Sequence, residues 1–196
     1  IPLSKTIEYL KKIDLFKEVF VKKFLEKIKL GKIKLPLNKN NTVFNDVSSY
    51  ILASNSLCKN TIKSFLLKNF NILDEATPKL EGEASLMGEK LANWSNKKFK
   101  SNSFIVIGGE TTVTITENNQ KNLGGRSQEV ALSFAINIFE RNLLTLPWII
   151  LSAGTDGKDG PTDAAGAIIS SNCIFDVSNA KKYLKNHNSY NFLKKT

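Results

Sequence analysis

The chain has 196 residues, is 41% hydrophobic, and carries 28 Lys+Arg against 18 Asp+Glu for a formal net charge of +10. That length suits one sizeable domain or parts of two, by a soft prior of ~100–200 residues per domain; no run reaches the ~18 apolar residues of a bilayer span, and the start has no signal-peptide core. Residues 1–39 hold 11 Lys against 4 acids and residues 178–196 hold 5 Lys and no acid, leaving the middle with 14 acids against 12 bases, which argues against a nucleic-acid groove because such a groove needs its basic residues around the site.

In chain order, the spacing predicts helices over Ser4 to Ile13 and Phe16 to Leu30. Phe16, Phe20, Phe24 and Ile28 fall four apart, a stripe expected in the core, and Gly31 supplies the stop. Lys32 to Asn45, polar and interrupted by Pro36, reads as a loop. Tyr50-Ile51-Leu52-Ala53 (strand), Leu57 to Phe70 (helix), Asn71-Ile72-Leu73 (strand) and Pro78 to Trp94 (helix) make a β-α-β-α series, which implies a parallel sheet. In the last helix Thr77 is the expected cap and Pro78 the first helical residue, with Leu80, Ala84, Met87 and Leu91 on the packed face. The lysine-rich stretch Ser95 to Ser103 marks a domain boundary, giving domains 1–100 and 101–196. Cys58 and Cys173 lie far apart and read as buried, reduced thiols.

The next sixty residues hold three glycine-rich loops. Phe104-Ile105-Val106-Ile107 reads as a buried strand stopped by Gly108-Gly109, which displays Glu110 at its end. Val113-Thr114-Ile115-Thr116 alternates like a half-exposed strand, and Glu117 to Asn122 is polar loop. Gly124-Gly125 opens a helix from Ser127 to Arg141 that is apolar almost all round and therefore buried. Its N-terminus, with Arg126 at the entrance, suits a phosphate or carboxylate. After the strand Trp148-Ile149-Ile150-Leu151-Ser152, a third loop carries Asp156, Asp159 and Asp163 among Gly157, Gly160 and Pro161. Such carboxylates suit Mg²⁺, which keeps several waters and takes one or two carboxylates plus substrate phosphates.

Structural readings stand beside these. Gly-Gly is commonly a turn, Arg126 can pair with Glu129 or another nearby carboxylate, and Asp-Gly repeats stabilise turns through side-chain hydrogen bonds. Asn55 is a ligand-loop residue or a helix cap, Glu81 is a ligand-loop residue or a complement to a helix dipole, and Glu83 reads as a complement to a helix dipole. His187, the single histidine, sits among polar residues and reads as surface. The coincidence of the three loops at the ends of consecutive α/β elements favours a ligand site, since open α/β sheets bind ligands beyond the carboxyl ends of their strands.

GGETTVTI (108–115), GGRSQE (124–129) and SAGTDGKDGPTDAAGA (152–167) resemble the signature stretches of the MOFRL domain, the C-terminal domain of the class II glycerate kinases, a family also called hydroxypyruvate reductases. Ile51 to Asn55 and Leu80 to Ala84 are similar to family segments near the end of the N-terminal domain. Ser127 stands where the family pattern has Asn, a shorter side chain that can still cap the helix. The chain starts at Ile1 without Met, and the family's upstream glycine-rich portion with its catalytic lysine and its downstream Gly-Pro-Thr-Gly-Thr-like stretch do not occur in it. The resemblance therefore implies a fragment, inactive alone.

The fold so implied is α/β: the end of a Rossmann-like parallel-sheet domain, then a MOFRL-type domain. The activity implied is ATP-dependent phosphorylation of D-glycerate to 2-phosphoglycerate, with ATP and Mg²⁺, in a cytoplasmic protein with no membrane or nucleic-acid partner and room for a homodimer. The residues assigned are Arg126 and Asp156 as catalytic, Asp156 and Asp159 as Mg²⁺ ligands, and Gly108, Gly109, Glu110, Gly124, Gly125, Ser127 and Asn55 as shaping or contacting the substrate or phosphate, with Glu110 also partnering Arg126. Two rivals remain: an NAD(P)H-dependent hydroxypyruvate reductase, which would want a G-x-G-x-x-G fingerprint not found here, and a noncatalytic anion-binding module.

Overall fold

The structure is a computed structural model that describes residues 3–37, 40–72, 77–115 and 122–195. It divides into two compact units, Ile1–Ile51 and Leu52–Thr196. In the first, α1 (Leu3–Lys12) and α2 (Val19–Lys29) flank a 3-10 turn at Leu15–Lys17. Asp14 adopts a left-handed φ of 57°, so the chain turns there and the second helix begins later than Phe16. The packed face also differs from the predicted one. Val21 and Leu25 are buried, whereas Phe20 and Phe24 of the expected stripe are 69% and 52% exposed; fourfold spacing identifies a face without deciding which face packs.

The second unit holds α3 (Asn55–Leu66), whose cap is Ser54 Oγ, accepting the Leu57 N–H at 3.2 Å. Two short parallel pairings follow: β1 (Asn71–Ile72) with β3 (Ser103–Phe104), and β2 (Leu80–Glu83) with β4 (Gly109–Thr112). Between them runs α4 (Ala84–Lys98), and after them come α5 (Arg126–Arg141), the antiparallel pair β5 (Ile149–Ala153) and β6 (Gly166–Ser170), α6 (Val177–Lys185) and α7 (Ser189–Leu193). The fold is mixed α/β with parallel pairings, as the sequence implied, and its third pairing is antiparallel. Among the described residues no helix is long and apolar enough to cross a membrane.

Several boundaries move. Tyr50 to Ala53 form no strand, and Tyr50, Ile51 and Leu52 are exposed; β-branched and aromatic content does not make a strand where no neighbour is paired. The expected helix from Pro78 begins only at Ala84, because Leu80–Glu83 pairs with Gly109–Thr112 and Gly82 has a φ of 78°. Thr77 and Pro78 therefore precede a strand and cap nothing. Gly109 starts a strand rather than stopping one: a Cβ there would lie 2.1 Å from the Leu80 carbonyl oxygen, so the pairing needs glycine. Val113 to Ile115 are irregular, and Leu73, Thr116 and most of the predicted polar loop, Glu117 to Lys121, lie outside the described residues. On β5, Ile149 and Leu151 are exposed while Ile150 is partly covered, so this strand is one-sided rather than fully buried. Cys58 and Cys173 are free and only half-buried.

The core of the unit is α5, in which every residue from Gln128 to Ile138 is buried. Ala84, Gly88 and Ala92 of α4 recur every fourth residue and let the two helices meet closely; a Cβ on Gly88 would sit 2.5 Å from the Val130 carbonyl oxygen. The same helix covers Trp148 and Ile169, with Trp148 edge-on to Phe134 at 5.5 Å. Leu132 and Ile136 pack on Ala180 and Phe192. Truncating a fully buried leucine such as Leu132 to Ala costs about 2–5 kcal/mol. That rigidity fixes the first turn of α5, where the site residues converge.

Candidate active site

Gly125 is the N-cap position of α5 and has no side chain to satisfy the helix's first N–H groups. Asp159, 34 residues on, does so: its Oδ1 accepts the Ser127 N–H at 2.9 Å and its Oδ2 the Gln128 N–H at 2.8 Å. Gln128 Nε2 reaches back to Thr162 Oγ1 at 3.1 Å and to the Asp159 carbonyl oxygen at 3.3 Å. Asp159 is 2% exposed, and a Cβ on Gly125 would fall 2.4 Å from its carboxyl carbon. The helix start predicted to receive a carboxylate or phosphate thus receives a carboxylate from its own chain. Ser127 contributes its N–H, and the helix is not capped by its hydroxyl.

Beside this cap lies a cleft of about 360 Å³ whose lining includes Gly124, Gly125, Arg126, Asp156, Lys158 and His187. Arg126 Nη1 lies 2.8 Å from Glu110 Oε1 on β4, and the arginine side chain is half-exposed. Asp156 is exposed and its Oδ1 accepts the Lys158 N–H at 3.3 Å, the side-chain turn that Asp-Gly sequences favour. The cleft therefore presents two cations, Arg126 and Lys158, next to an exposed carboxylate. Among the described residues no three His, Cys, Asp or Glu side chains cluster so as to hold a metal by themselves.

Glu129 and His187 complete the wall, and the sequence reading missed both. Glu129 Oε1 lies 3.0 Å from His187 Nδ1, with the carboxylate 1% and the imidazole 20% exposed. Burial pushes the Glu129 carboxyl above its usual value, and the hydrogen bond and charge of His187 pull it partly back, while Glu83 and Asp159 add a smaller upward push. Among the described residues its Oε2 is buried without a hydrogen-bond partner. A fully buried carboxylate in the first turn of an apolar helix was the signal available in sequence; its partner, 58 residues away, was not.

The remaining predicted residues lie elsewhere. Asn55 is the first residue of α3, and its side chain rests on Gly108, where an added Cβ would meet Asn55 Oδ1 at 1.9 Å. Glu81 pairs with the exposed Lys79. Glu83 accepts the Thr114 hydroxyl at 2.9 Å and the Thr114 N–H at 3.3 Å, which ties the end of β2 to the segment after β4. Asp163 accepts the Tyr190 hydroxyl at 2.6 Å, on the side of the loop towards α7.

The family model described as MOFRL family matches residues 103–196. The chain is 40% identical over 66% of its length to a protein named D-glycerate 2-kinase from Thermotoga maritima, of which it covers 31%. It is 36% identical over 76% of its length to a glycerate 2-kinase from Pyrococcus horikoshii, of which it covers 35%. A crystal structure of a protein from Pyrococcus horikoshii OT3 superposes with a TM-score of 0.63 at 32% identity, covering 96% of this chain and 44% of that one. The chain spans less than half the length of the relatives it matches. Residues 103–196 are a MOFRL domain. The similarity to relatives named glycerate 2-kinase reaches beyond those residues.

Proposed function

We propose that this chain forms part of an ATP-dependent glycerate 2-kinase and that phosphoryl transfer from ATP to D-glycerate, giving 2-phosphoglycerate, takes place at the cleft beside the start of α5. The observation that carries the reading is Arg126: a guanidinium half-exposed at a cleft, oriented by Glu110 at 2.8 Å, and one of two arginines, with Arg141, in a chain whose other basic residues are lysines. Phosphoryl transfer asks for positioning and charge neutralisation more than covalent chemistry. Arg126 supplies a planar fork that fits a glycerate carboxylate or a phosphate bidentately, and Lys158 supplies a second, point-like charge. The kinase names of the relatives support the same reading.

The donor set fits Mg²⁺ at one position. Asp156 is exposed at the cleft and offers a carboxylate, whereas both oxygens of Asp159 are engaged by helix N–H groups. A magnesium ion would supply charge neutralisation on the nucleotide phosphates, and one protein carboxylate is a usual complement for it. Gly124 and Gly125 line the cleft wall with little side-chain bulk. The 196-residue chain by itself is expected to turn over negligibly, with the upstream portion of its relatives completing the site. Phosphorus NMR of a protein joining this segment to that portion tests the reading: 2-phosphoglycerate formed from D-glycerate and Mg-ATP supports it, and NADH oxidation by hydroxypyruvate without phosphoryl transfer replaces it with the reductase.

A further inference from the structure

We propose that His187 is the group that takes the proton from the acceptor hydroxyl, and that the buried carboxylate of Glu129 is the positioning group that holds its ring. This rests on the kinase reading above. The geometry is that of a base and its orienting acid. His187 lines the cleft together with Arg126, Asp156 and Lys158, and its Nδ1 faces Glu129 Oε1 at 3.0 Å. A carboxylate accepting at Nδ1 fixes the proton there and leaves the Nε2 lone pair of the neutral ring as the proton-accepting atom.

The pair is held on both sides. Glu129 sits in the first turn of the rigid helix α5. His187 occupies a left-handed turn, φ 51°, between α6 and α7, where its N–H donates to the Leu184 carbonyl at 3.0 Å and the Asn188 N–H to the Tyr183 carbonyl at 2.9 Å. That turn is joined to the glycine loop before α5, since Asn188 Oδ1 accepts the Leu123 N–H at 3.2 Å and Asn122 Nδ2 donates to the Asn186 carbonyl at 2.6 Å. Burying a carboxylate at 1% exposure with one oxygen unpartnered is costly, and a solvent-facing surface histidine would not require it. The charged groups around the pair are Arg126, Asp156, Lys158 and Asp159 at the cleft and Glu83 behind Glu129.

In the step so assigned, the acceptor hydroxyl oxygen forms a bond to the γ-phosphorus of a nucleoside triphosphate. The bond from that phosphorus to the β,γ-bridging oxygen breaks, its electron pair leaves on the nucleoside diphosphate, and the hydroxyl proton passes to His187 Nε2. The imidazolium so formed is matched by Glu129 until its proton returns to water.

The test uses His187→Asn in the active protein, because asparagine tolerates a left-handed backbone but cannot reach as a base. The expected result is a fall in kcat of about 10²-fold or more, the usual range for a lost proton acceptor, with KM for glycerate little changed, the acid limb of the kcat–pH profile lost and the melting temperature retained. Glu129→Gln should give a smaller fall in kcat. If the unsubstituted protein phosphorylates glycerate and His187→Asn keeps both its kcat and its acid limb, the base assignment is overturned and the kinase reading stands; if the unsubstituted protein does not phosphorylate glycerate, both fall. A second readout is independent of activity. The chain has a single histidine, so a long-range ¹H–¹⁵N spectrum at neutral pH should show the Nδ1–H tautomer, and a dominant Nε2–H tautomer would overturn the proposal.

Discussion

Asp159 Oδ2 accepts the backbone N–H of Gln128 at 2.8 Å, and with the companion bond to Ser127 it makes the aspartate loop and the start of α5 one structural element. A helix N-terminus carries roughly half a positive charge and a set of unpaired donors. Here an internal carboxylate occupies two of those donors, which leaves Arg126 and Lys158 as the cations that the cleft offers to a substrate.

Asp159→Asn should therefore act on stability rather than on metal. The amide keeps one acceptor and presents an N–H₂ towards a backbone donor, so the cost should be about 1–3 kcal/mol, as for a lost cap combined with a buried unsatisfied group. Denaturant unfolding checks it. Unchanged stability together with a raised Mg²⁺ requirement would return Asp159 to the metal site.

Asp156→Asn separates the other way. Asparagine makes the same turn to the Lys158 N–H, so the fold should hold, while the charge that complements Mg²⁺ is removed. The Mg²⁺ concentration for half-maximal rate should rise several-fold in the active protein. An unchanged Mg²⁺ dependence would make this aspartate purely a turn former.

These two aspartates mark what could be read from sequence. The glycine turn before α5, the buried helix behind Gly125 and the turns of the aspartate loop were legible because spacing and composition are local signals. Which aspartate caps and which faces the cleft was not, because the answer depends on a loop folding back 32 residues to α5. The same limit hid His187, whose partner Glu129 is distant in sequence, and placed the Phe20 and Phe24 stripe in a core that forms on Val21 and Leu25 instead. Strand edges moved for a related reason: whether Leu80 to Glu83 is strand or helix is settled by its pairing with Gly109 to Thr112 rather than by its own residues.

Burial holds the Glu129 carboxyl above its usual 4.5. The folded state then keeps a proton at pH values where the unfolded chain has released it, so Glu129 contributes stability at low pH that is lost as pH rises from the unfolded value through the raised one. Glu129→Gln removes that dependence. The melting temperature of the variant relative to the unsubstituted chain should rise as the pH increases above the usual 4.5, by calorimetry; a parallel pair of curves would contradict it.

Asp163 moves in the opposite direction. The Tyr190 hydroxyl at 2.6 Å holds its carboxyl below the usual 3.8. A depressed carboxyl contributes stability above its unfolded value that is lost as pH falls through the folded one. Tyr190→Phe should thus be less stable than the unsubstituted chain at neutral pH, and the deficit should shrink once the pH drops below 3.8. A deficit independent of pH would assign the tyrosine to packing alone.

The most direct test of phosphoryl transfer at this cleft is the kcat/KM for glycerate of Arg126→Lys in the active protein. Lysine keeps the positive charge and loses the bidentate fork that Glu110 orients at 2.8 Å. The account predicts a fall on the order of 10²-fold or more with the melting temperature unchanged. Near-normal kcat/KM would contradict it and reduce Arg126 to a surface ion pair.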